Sequence, residues 1–272
     1  MQSRWPERIV CLTEETTEAL YLMNEQQRIV GISGYTVRPA IARKEKPKVS
    51  AYTSAKLNKI LDLKPDLILA FSDMQADIVA DLIRAGQQVH TFNQRSVDGI
   101  LTMINTLGAL IGRTDKSDQL IDSLNQHIES VKQSAAHLPN QPKIFFEEWY
   151  DPLISGIGWV SELIEIAGGK DCFPELAKEP GAKQRIIADP SKVIERQPDI
   201  IIGSWCGRKF RPEQVKERAD WLSIPAVKEN HIYEVKSADI LQPGPAALTD
   251  GLTQLHDIIK LWCANHNALN DG

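Results

Sequence analysis

The 272-residue sequence predicts an α/β protein of two βα lobes with parallel sheets, bridged by one long α-helix. Three observations carry that expectation. Short, branched apolar runs alternate with helically periodic segments in both halves. One phrase is written twice, as LKPDLILAF at 63–71 and RQPDIIIGSW at 196–205. Between the halves lies a stretch, 114–138, without glycine or proline.

The elements follow in order. RIVCL (8–12), IVGIS (29–33), LILAF (67–71) and QVHTF (88–92) are short, rich in Val and Ile and flanked by Gly, Pro or Asp, as strands are. Helical periodicity fills the gaps. It covers 15–24, 55–63 with Leu57, Ile60 and Leu61 on one face, and 75–86 with Ile78, Val79, Leu82 and Ile83. Such alternation implies βαβ units and a mainly parallel sheet. Residues 96–112 form an amphipathic helix closed by Gly112. The helix expected over 114–138 would span roughly 37 Å at about 1.5 Å per residue. The prolines of PNQPK end it. Alternation then resumes with a strand at 143–149, a helix at 159–169, a short helix at 190–196, strands at 199–205 and 231–235, and a terminal helix at 246–265. The predicted domains are therefore 1–113, the bridging helix 114–138, and 139–272. In both copies of the repeated phrase a helix ends at Pro, an Asp (Asp66 or Asp199) sits at the turn, and the strand that follows is apolar on both faces, as a buried parallel strand must be.

Composition narrows the function. The chain is 42% apolar and 25% charged with net charge -5, which argues against a nucleic-acid partner. No apolar run is long enough to span a membrane. Arg4, Glu7 and Arg8 interrupt the N-terminus, so no signal peptide is read there. The expected location is cytoplasmic, or periplasmic if a leader has been removed. Cys11, Cys172, Cys206 and Cys263 are widely spaced, with no CxxC, so reduced and mostly buried thiols are expected. No HxH, HExxH, phosphate-binding loop or nucleophile-elbow motif occurs, and no metal site or catalytic pair is predicted. His127 and His137 are expected to face solvent, and His90 the core.

The phrases RIVCLTEETTEALYLMN, IVGISGYTVRP and KLNKILDLKPDLILAF in the first half, with PLISGIGWVSELIEIAGGKDCF, PSKVIERQPDIIIGSW and QPGPAALTDGLTQL in the second, carry a resemblance over roughly 8–262. The chain resembles the helical-backbone (class III) substrate-binding proteins of ABC importers for cobalamin, haem and ferric siderophores, and most of all the cobalamin-binding ones. The resemblance implies two Rossmann-like lobes, a bridging helix and a ligand cleft between the lobes, at the strand ends. It also implies a docking carboxylate on each lobe, in the helix before each Pro-Asp phrase. Here those positions are Asn58 and Ser191, which makes permease docking doubtful; Asp62 and Glu195 lie near enough to substitute.

Strand ends and the loops after them supply the candidate ligand-binding residues: Glu14, Glu15, Tyr35, Tyr52, Phe71, Glu148, Trp149, Trp159, Trp205, Cys206 and Gln242. Aromatic walls suit a large ring-rich ligand, and the resemblance aligns Tyr35 and Tyr52 with corrin-contacting positions. Glu14 and Glu15 either face the ligand or start a helix. Glu147 and Glu148, at a strand end, call for a cationic or donor-rich partner. Arg208, Lys209 and Arg211 could meet a ligand phosphate or carboxylate. The expected function is non-catalytic binding of cobalamin or a related corrinoid, with no cofactor required. The rivals are a ferric-siderophore, haem or metal-chelate component of an ABC importer, and an enzyme using Glu147, Glu148 or Cys206 on a bound cofactor.

Overall fold

The computed structural model describes residues 4–270, with side chains described as far as His266. The chain divides into two compact units. One comprises the residues up to Gln94 together with Asp98–Leu124, and the other Arg95–Val97 together with the residues from Asn125 onward. The division falls inside the helix Thr114–Ala135.

The first unit is built on a parallel sheet of β1 (Ile9–Cys11), β2 (Ile29–Ser33), β3 (Lys48–Ser50), β4 (Leu67–Phe71) and β5 (Val89–Phe92), in the order β3-β2-β1-β4-β5. The central strands β1 and β4 are buried along their whole length. Val10, Leu12, Val49, Ile60, Ile68, Ala70 and Leu82 close one core cluster of the unit. The second unit is built on β6 (Lys143–Tyr150), β7 (Leu153–Ser155), β8 (Lys170–Asp171), β9 (Ile200–Gly203) and β10 (Ile232–Glu234). Its order is β10-β9-β6-β7, with β8 beside the start of β6.

The repeated phrase does the same physical work in both units. Each copy follows a six-residue helix, Leu57–Asp62 or Ser191–Arg196. A left-handed residue before the proline (Lys64 or Gln197, φ +47° in both) then stops the helix. The Asp that follows clips the neighbouring strand. Asp66 accepts from the backbone N–H groups of Glu7 and Arg8, at 2.8 and 2.9 Å, just before β1. Asp199 accepts from the N–H of Lys143 at 2.8 Å, at the start of β6. The basic residue so held reaches back to the helix end. Arg8 donates to the carbonyls of Leu63 and Lys64, and Lys143 Nζ to that of Arg196. These cations satisfy carbonyls that a helix C-terminus leaves open.

Several expectations need correction. The second sheet is mixed: β7 runs antiparallel to β6 after a tight turn at Asp151-Pro152. The short strands β3, β7 and β8, of two or three residues, were not among the expected strands. The long helix ends at Ala135 rather than 138. Its last turn is tightened by the Leu138 N–H bonding back to Ala135, because the residue before Pro139 disfavours the helical region. The terminal helix opens with a π turn over Ala247–Gly251 before Leu252–Asn270. His90 is half-buried rather than core. His127 is half-buried too, 3.1 Å from Thr253 Oγ1, while His137 is exposed as expected. Of the four thiols, Cys206 alone is exposed.

Candidate functional site

In the first unit, the carboxyl ends of β1 and β2 meet at a cluster of carboxylates. The helix Glu14–Leu22 starts directly after β1, with Thr13 at its N-cap position. Thr13 makes no capping bond there; its hydroxyl donates to Glu15 Oε1 at 2.6 Å. Glu14 does not cap either. Its Oε2 accepts from the Val37 N–H at 2.9 Å, across to the loop after β2, while its Oε1 is buried without a partner. Burial, reinforced by Glu18 and Glu15, pushes the Glu14 carboxyl up to about 8. Burial pushes Glu15 up to about 7, against the stabilising bond from Thr13. Glu18 pairs with Arg38 at 2.9 Å.

The loop after β2 is thereby held from three sides. Arg43 donates to the carbonyls of Gly34 and Thr36, the Tyr35 N–H donates to Ser33 Oγ, and Glu14 takes Val37. On this fixed frame Tyr35, Val37 and Ile41 are exposed apolar groups, with Tyr35 61% exposed. At the ends of β1 and β4, the fully buried Gln75 donates to the carbonyls of Leu12 and Tyr52 and accepts from Phe71 N–H. That makes Gln75 a positioning residue that sequence reasoning missed. Phe71 is buried, and Tyr52 is half-buried.

In the second unit, the expected partner for Glu147 and Glu148 comes from the chain itself. Glu148 is the extra residue of a bulge: Glu147 lies opposite Ser155 and Trp149 opposite Ile154. The two carboxylates accordingly find different partners. Glu147, fully buried, is held by Arg218 at 2.6 and 2.8 Å and by the Trp205 indole N–H at 3.0 Å. Glu148 is held two-handedly by the buried Arg185, at 2.6 and 2.9 Å. Bidentate, charge-assisted pairing of this kind satisfies buried carboxylates without a ligand. Arg185 and Arg218 lie 37 and 71 positions away in sequence, so local spacing carried no sign of them.

The candidate aromatics divide into packed and presented groups. Trp159 is buried, and its indole N–H donates to the Ile240 carbonyl. Trp205 is buried against Phe210. Trp149 is half-buried and packs on Tyr150 at a tilt of 44°, with centroids 5.2 Å apart; Tyr150 packs on Trp205 at 4.6 Å with a tilt of 36°. Tyr150, at the end of β6, was not among the sequence candidates, although it adjoins Trp149. Cys206 is exposed and Gln242 half-buried. Among the described residues, no group of three or more His, Cys, Asp or Glu side chains is placed to hold a metal ion.

Comparison with known proteins fits this architecture. The family model described as periplasmic binding protein matches residues 9–238. The chain belongs to that family, one of substrate-binding proteins rather than enzymes. Among curated relatives, it is 27% identical to an uncharacterized ABC transporter substrate-binding lipoprotein, YvrC, of Bacillus subtilis, over 93% of this chain and 80% of that one. It is 24% identical to the vitamin B12-binding protein of Vibrio campbellii, over 87% and 84%. Among solved structures, a possible iron-binding (periplasmic solute-binding) protein from Staphylococcus epidermidis superposes with TM-score 0.81 at 24% identity, covering 94% of this chain and 99% of that one. The periplasmic vitamin B12-binding protein BtuF of Vibrio cholerae gives 0.74 at 21%, covering 94% and 98%. The haem-binding RhuT from Roseiflexus gives 0.78 at 20%, covering 93% and 99%. These structural likenesses establish the fold.

Proposed function

We propose that this chain is the substrate-binding component of an ABC importer system and that its ligand is a large, flat macrocycle, a corrinoid in the first instance. The observation that carries the reading is the half-buried Trp149–Tyr150 pair, packed at a tilt against Trp205 at the carboxyl end of β6. Clustered aromatics offer wide apolar contact at low entropic cost, which suits a ring system rather than a small polar solute. The first unit carries an exposed apolar surface of its own at the fixed Tyr35 loop. Support for the corrinoid comes from relatives named vitamin B12-binding proteins.

Haem is the second reading, favoured by structural neighbours that bind it. Catalysis is not part of the proposal: Glu147 and Glu148 are engaged with arginines. Docking at Asn58 and Ser191 would meet exposed uncharged side chains. Asp62 and Glu195, four residues further on in each helix, are the exposed carboxylates of those helices.

The test is calorimetric titration of the full chain with cyanocobalamin and, separately, haemin. Saturable one-to-one binding at about micromolar affinity or tighter is expected for cyanocobalamin. Saturation by haemin alone would move the reading to haem, and heat from neither would end the macrocycle proposal.

A further inference from the structure

The loop after β9 presents an assembled cationic surface. Cys206, Gly207, Arg208, Lys209 and Arg211 are exposed, while Phe210 is buried. Phe210 anchors the loop so closely under β9 that a Cβ at Gly203 would meet its ring at 1.9 Å. Its N–H donates to Glu234 Oε1 at 3.2 Å. Gly207, at φ +71°, lets the chain turn back over β6.

Anchored in this way, the loop lays the Arg208 guanidinium over the Tyr150 ring, 4.5 Å from its centroid. One terminal nitrogen donates to the Tyr150 hydroxyl. The other guanidinium nitrogens have no protein acceptor among the described residues, and neither do Lys209 and Arg211. An arginine stacked on an aromatic face is weakly hydrated, and its donor fork is pre-organised for an oxyanion. Here that fork lies over Tyr150, one member of the aromatic cluster at the end of β6. Glu148 is paired with Arg185 and Glu147 with Arg218, while Glu234 accepts the Phe210 N–H.

We propose that Arg208 reads an oxyanion attached to the ligand's ring system, with Lys209 and Arg211 adding to the local positive field. The inference rests on the macrocycle reading above and deepens it: the ligand is a flat ring bearing an anionic tail. Two ligand classes carry that chemistry, a corrinoid through the phosphodiester of its nucleotide tail and a porphyrin through its propionates.

Two ligand pairs separate these sources and test the claim. Cyanocobalamin is compared with cobinamide, which keeps the corrin but lacks the nucleotide loop, with its phosphodiester, ribose and base. Haemin is compared with its dimethyl ester, in which both propionates are masked. Each is titrated into the full chain and into Arg208→Gln, a substitution at an exposed position whose fold is checked by thermal melting. Within the pair that binds, loss of the oxyanion should weaken the unsubstituted protein about tenfold or more. Arg208→Gln should lose most of that preference by weakening only the member that carries the oxyanion, and added salt should shrink the preference of the unsubstituted protein. Preference within the corrinoid pair identifies the phosphodiester, and preference within the porphyrin pair the propionates. Equal affinity for both members in the unsubstituted protein, or equal weakening of both by Arg208→Gln, overturns the oxyanion claim and leaves the macrocycle reading standing. Absence of binding by either ring system overturns both.

Discussion

Glu14 is the residue whose chemistry the fold alters most usefully. One carboxyl oxygen is held by the Val37 N–H and the other is buried without a partner. Its carboxyl sits at about 8 in the fold against an ordinary 4.5, with burial as the first cause. Between those values the folded state keeps a proton that the unfolded chain has released. This contribution is therefore fully present below about pH 4.5 and is lost as pH rises through about 8. Glu15, pushed to about 7, acts with the same sign over a narrower window. Glu14→Gln is neutral at every pH and keeps the acceptor for Val37. Its melting temperature should exceed that of the unsubstituted chain by a few degrees near pH 8.5, with the gap closing toward pH 5. Thermal melts across that range decide the matter, and a gap independent of pH would show that Glu14 does not titrate there. At this scale the sequence was half legible. The acidic residues stood out, but whether each caps a helix, meets a ligand or meets an arginine depends on Val37, Arg185 and Arg218, all remote in the chain.

At the scale of elements, the repeated helix–Pro-Asp–strand step is a clip, and its two copies can be tested against each other. Asp66 and Asp199 each bind the backbone at the start of the adjacent central strand. Asp66→Ala and Asp199→Ala should each cost about 1.5–3 kcal/mol, the range for hydrogen bonds to a charged group. Hydrogen exchange should speed at Glu7 and Arg8 in the first variant and at Lys143 in the second. Acceleration at the same amides in both variants would refute two independent clips. The strands of this step were legible because β4 and β9 are continuous branched apolar runs, buried throughout. The strands β3, β7 and β8 were not, because they carry no such run and are defined only by their neighbours.

For the whole molecule, ligand binding and stability are linked by mass action. A ligand that binds the folded chain alone and is supplied at about 100 times its dissociation constant should stabilise it by about 2.7 kcal/mol. Differential scanning calorimetry with rising cyanocobalamin should show the melting temperature climb with the logarithm of concentration. A temperature that stays constant over that range would contradict the corrinoid reading independently of any titration heat.

What the sequence determined by itself was the layout: alternating βα units in each half, a long uninterrupted helix between them, and one structural phrase used twice. Those features are written in local periodicity, in Pro-Asp turns and in runs of Val, Ile and Leu, and local physics reads them without knowledge of the rest of the chain. Tertiary structure alone decided the fate of individual polar and aromatic side chains. Trp159 and Trp205 went to packing, and Glu147 and Glu148 to arginines. Tyr150 and Arg208 came to stand together at the end of β6. The reason is that a buried charge or a stacked ring is governed by its partner, and these partners arrive from tens of residues away.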